Sequence, residues 1–92
     1  MEIQYDDSPV AGEMFRVRIA SYRGRATVAV YVGGNLLKEK ECPDPPCHAR
    51  VAIPLNARGS TLTVHAQSSS GEKETLQIKV IGRGHATLTA GA

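Results

Sequence analysis

The chain has 92 residues and a formal net charge of +2, from 11 basic and 9 acidic side chains. That length allows one domain, residues 1–92, and leaves no room for a second core. So weak a charge gives no ground for nucleic acid as a partner, and no apolar run approaches a membrane span, so any tie to a membrane runs through a parent protein.

Alternation with period two, the mark of half-buried strands, runs through most of the chain. Glu2-Ile3-Gln4-Tyr5 opens as a short strand, broken by Asp6-Asp7-Ser8-Pro9. Phe15, Val17 and Ile19 then alternate with Arg16 and Arg18, and Ser21 to Gly24 turns the chain. Val28, Val30 and Val32 alternate with Thr27, Ala29 and Tyr31. Gly33-Gly34-Asn35 reads as a hairpin turn, since glycine tolerates positive φ, and Leu36 to Glu41 returns as a short strand. After the stretch ECPDPPCH, Val51, Ile53 and Leu55 alternate with Ala52 and Pro54; Pro54 cannot donate to a ladder and marks a strand end or edge. Leu62, Val64 and Ala66 alternate with polar neighbours, as do Leu76, Ile78 and Val80 after the turn at 68–71. Gly82-Arg83-Gly84 ends that strand, and 83–92 reads as a tail.

Seven short strands at regular spacing, with turn residues between them, predict an all-β sandwich of antiparallel strands in two sheets. With 4% aromatics and no Trp, aliphatic side chains must fill its interior. The expected core is Phe15, Val17, Ile19, Val28, Val30, Val32, Val51, Ile53, Leu62, Val64, Leu76, Ile78 and Val80.

The stretch SPVAGEMFRVRI resembles the opening of bacterial and archaeal immunoglobulin-like domains, where Pro and Gly precede the first core strand. GSTLTVHAQSSSGEKETLQIKV resembles their last hairpin and that of fibronectin type III domains. The resemblance implies an Ig-like sandwich. Such domains commonly serve as spacers, adhesion units or accessory modules of larger surface proteins. The antibody hallmarks are missing: no core Trp stands on the third strand, the cysteines are too close to bridge the sheets, and Leu62 occupies the corner-Tyr position.

Cys42 and Cys47, so close in a Pro-rich loop, point to a local disulfide. Zinc would need a fourth ligand beyond Cys42, Cys47 and His48, drawn from His65 or His85. Asp6, Asp7 and Asp44 lack a calcium-loop pattern and read as solvated turn acids. No cofactor is expected. A disulfide implies an oxidising, extracytoplasmic setting, or the cytoplasm of a hyperthermophile. The polar, acidic start MEIQYDD carries no signal-peptide pattern, so the chain reads as a piece of a longer surface or secreted protein with Met1 added.

None of the nucleophile, P-loop or zinc-protease motifs is present, and the expected function is non-catalytic. Two faces are candidates for contact. If the third, sixth and seventh strands lie side by side, Tyr31, Thr61, Thr63, His65 and Gln77 project together with few charges, which suits a neighbouring domain or another protein. If the second and fifth strands are neighbours, Arg16, Arg18 and Arg50 share a face, with Arg23 and Arg25 near its rim. That face is the alternative site, for carbohydrate or another polyanion; each of the two faces also reads as an ordinary solvated outer surface, the first rich in Thr for its strand propensity and the second charged against aggregation. A third possibility is an accessory domain of an enzyme.

Overall fold

The computed structural model describes residues 1–82; the expected tail, with His85, lies outside the described residues. In chain order the strands are β1 Ile3–Gln4, β2 Met14–Ile19, β3 Ala26–Val32, β4 Asn35–Cys42, β5 Cys47–Ala52, β6 Thr61–Ser68 and β7 Lys73–Lys79. They form two sheets, β1-β2-β5 and β4-β3-β6-β7, and every strand pair is antiparallel. The domain is an all-β sandwich.

Alternation decides which side chains meet between the sheets. Phe15, Val17 and Ile19 of β2 and Cys47, Ala49 and Val51 of β5 face Val28, Val30 and Val32 of β3 and Leu62, Val64 and Ala66 of β6, all buried. Each large aliphatic side chain removed from water here contributes about 1.5–3 kcal/mol. A slip of one residue in β2 would put Arg16 and Arg18 into that layer, so the register is firm. Tyr22, read from sequence as part of a turn, is also buried and donates its hydroxyl to the Cys42 carbonyl at 3.5 Å.

Three expectations need correction. Leu76 and Ile78 are only half-buried, because β7 is the outer strand of the wider sheet and the three-stranded sheet does not reach fully across it. The fifth strand starts at Cys47, four residues before Val51, and ends at Ala52. Leu55 therefore leaves the alternation: it sits in a 3₁₀ turn, Leu55–Ala57, and is 76% exposed.

The β3–β4 hairpin closes through Gly33 and Gly34, at φ 57° and 86°, with Val32 paired to Asn35. Positive φ at both central positions is the type I′ turn, whose twist matches that of the flanking strands and which favours glycine at both places. Further along, Tyr31 pairs with Leu36 but Val30 pairs with Lys38, so Leu37 is an inserted residue. This β-bulge reverses the facing of β4 on its two sides.

Candidate functional site

The Cys42–Cys47 disulfide is formed, with 5.6 Å between the Cα atoms. It joins the last residue of β4 to the first of β5, so it ties the edge of one sheet to the edge of the other. With both sulfurs bonded to each other, no thiolate remains for zinc. Among the described residues no group of three metal-ligating side chains assembles, and Asp6 and Asp7 are simply exposed.

The outer face of the four-stranded sheet brings the first candidate set together. Tyr31 pairs with Thr63, and Thr63 with Gln77; His65 lies opposite Ala29 and Thr75, and its Nδ1 is 2.9 Å from the Thr75 hydroxyl. Thr61 stands at the end of its strand opposite Lys79. Sequence reasoning omitted the contribution of β4. Leu36 extends the Tyr31 row, while Glu39 and Glu41 lie opposite Ala29 and Thr27. The face is thus an uncharged band, Leu36-Tyr31-Thr63-Gln77, with acids at one side rather than an uncharged sheet.

The second candidate set also assembles, on the outer side of the three-stranded sheet. Arg16 pairs directly with Arg50, and Arg18 with His48. Arg18 donates from Nε to Gln4 Oε1 at 3.0 Å, and Gln4 in turn donates to Glu2, so its charge is already engaged in a polar chain. Arg25 does not border this face. It reaches the four-stranded sheet instead, where its Nη1 is 3.4 Å from Glu41 Oε1.

Two cations missed from sequence complete this region. Lys38 and Lys40 lie opposite Val30 and Val28, on the inner side of β4. That strand overhangs the narrower sheet, so the lysines reach past the edge of β5 instead of entering the core, and Lys40 Nζ donates to the His48 carbonyl at 2.6 Å. The result is a groove of about 670 Å³ whose wall includes Arg16, Arg50, Lys38 and Lys40, with Glu39 as its single carboxylate.

Comparisons with protein-family models, with curated proteins and with solved structures find no match for this chain.

At the opposite edge of the four-stranded sheet, the β6–β7 turn is organised by one carboxylate. Glu72 accepts from the Arg23 amide at 2.9 Å and the Ser70 hydroxyl at 3.0 Å. The Arg23 amide first, and then Ser70, hold its carboxyl below the usual glutamate range. No helix among the described residues is long and apolar enough to cross a membrane.

Proposed function

We propose that this domain is a non-catalytic contact module of a larger extracytoplasmic protein, of the Ig-like or fibronectin type III-like kind, and that it binds a neighbouring domain or another protein through the outer face of its four-stranded sheet. The observation that supports this reading is the band Leu36-Tyr31-Thr63-Gln77, which crosses all four strands in register. Leu36 is 53% exposed, and Tyr31 and Thr63 are half-exposed. An amphipathic Tyr beside an exposed Leu gives apolar area with few charges to desolvate. The strand order also favours the Ig-like reading: three strands face four, with the chain crossing between sheets after β2, β4 and β5. The disulfide favours an oxidising compartment.

Tyr31→Asp combined with Thr63→Lys tests the contact. Both side chains point away from the core, so the unfolding free energy should change by about 1 kcal/mol or less. In the parent protein the pair should abolish association with the neighbouring domain or partner, read by sedimentation velocity. Association that survives this pair but is lost on charge reversal at Arg16 and Arg18 overturns the reading.

A further inference from the structure

We infer that the groove bounded by β2, β5 and the overhanging β4 is a binding site for an anionic polysaccharide, held through its carboxylate or sulfate groups by Arg16, Arg50, Lys38 and Lys40. This site lies apart from the Tyr31 band and stands on separate observations.

The first observation is an unfavourable arrangement retained in the fold. Arg16 and Arg50 are direct cross-strand partners, and like charges placed opposite each other destabilise a sheet. Among the described residues Arg16, Lys38 and Arg50 have no ion-pair partner. Four cations converge with one carboxylate, Glu39, on a single concavity, although the whole chain carries only +2. A bound anion relieves that repulsion. Guanidinium forks pair with planar or tetrahedral oxyanions through two parallel hydrogen bonds, and ammonium groups add point charges.

The second observation concerns what can enter. Lysines directed inward from an edge strand obstruct the pairing of a further strand on that edge, and the Lys40–His48 hydrogen bond occupies a backbone acceptor of β5. A peptide added as an extra strand is therefore disfavoured. Single-stranded nucleic acid relies on aromatic stacking platforms, and no Phe, Tyr or Trp lines the groove. A chain recognised by charges spaced along it, without stacking or backbone pairing, fits what is left. The disulfide closes one end of the β4–β5 seam at Cys42 and Cys47, and the groove opens beyond it at Lys38 and Arg50.

The test titrates the intact protein with a sulfated heparin oligosaccharide, an oligogalacturonate of equal length and a poly-glutamate peptide, by calorimetry. At least one glycan should bind saturably, and the two glycan arms separate sulfate from carboxylate recognition. Raising salt from about 0.01 M to about 0.15 M, which shortens the Debye length from roughly 30 Å to roughly 8 Å, should weaken binding sharply. Arg16→Gln with Arg50→Gln, and separately Lys38→Gln with Lys40→Gln, should each weaken it by about tenfold or more. The control pair Arg23→Gln with Lys73→Gln removes the same charge outside the groove and should change it by less than about threefold. All these side chains are exposed, so each variant should fold, which circular dichroism checks. Three results would each overturn the site: no saturable binding to either glycan, equal losses in the groove and control pairs, or poly-glutamate binding as tightly as the better glycan.

Discussion

β3 and β4 are the two arms of one hairpin, yet they meet solvent in opposite ways. In β3, five of seven residues are buried; in β4, only Cys42 of eight is. Composition follows the contrast, ATVAVYV against NLLKEKEC, and position explains it. β3 lies between β4 and β6, so both its edges are paired, and its inner face meets the opposite sheet. β4 has one free edge and stands beyond the narrower sheet, which has three strands with β1 only two residues long. The lesson is that the core thins out at β4, which adds only Cys42 and the half-buried Leu37 to it, and that the overhang beyond is what provides a groove.

The largest test of that contrast exchanges a leucine on each side of it. Leu62, on the strand next to β3, is 0% exposed and Leu36 on β4 is 53% exposed. Leu62→Ala should cost about 2–5 kcal/mol from lost burial and the cavity left behind, whereas Leu36→Ala should stay within about 0.5 kcal/mol. Urea unfolding of both variants measures the difference, and similar losses would show that β4 is part of the core.

A smaller effect is expected at the tether. Replacing Cys42 and Cys47 together by Ser should cost about 2 kcal/mol for so short a loop in the chain-entropy view. Hydrogen exchange sharpens the comparison, since amides of β4 should lose protection before those of β3 and β6. Uniform loss across the sheet would mean that the disulfide supports the whole fold and not the overhang.

The smallest effect lies at the far edge of the same sheet. The folded-state pKa of Glu72 is depressed, so its contribution is present above the ordinary glutamate range and is lost as pH falls through the lower, folded value. Denaturation midpoints measured downward from neutral pH should show the wild type losing slightly more stability across that acid window than Glu72→Gln. Parallel curves would mean that the turn is held without the charge.

Much of this was readable from residue order. The alternation in 15–19 and 62–66 sets their facing, and sandwich connectivity makes β2 and β5 neighbours, which is why residue order alone brings Arg16 and Arg50 together. Lys38 and Lys40 could not be placed. Strict period two puts Leu36, Lys38 and Lys40 on one face, but the insertion at Leu37 sends Leu36 outward beside Tyr31 and the lysines inward. A bulge has no compositional mark in Leu-Leu-Lys-Glu-Lys-Glu. Leu55 departs from its pattern for a related reason: the alternation continues through Ile53 and Pro54 in the letters, but the backbone turns at Pro54. The half-burial of Leu76 and Ile78 depends on the width of the opposing sheet, a property of the whole assembly that no local pattern encodes.

Val10 and Ile81 form a parallel bridge, with the Ala11 amide donating to the Ile81 carbonyl at 3.0 Å and the Ile81 amide donating to Pro9 at 2.9 Å. Because the two segments run the same way, a tensile load that draws the chain before Pro9 and the chain after Ile81 in opposite directions stresses both bonds together, in shear. An antiparallel closure loaded at one end would instead peel open one bond at a time. Pulled that way, the two segments stay joined until both bonds yield together.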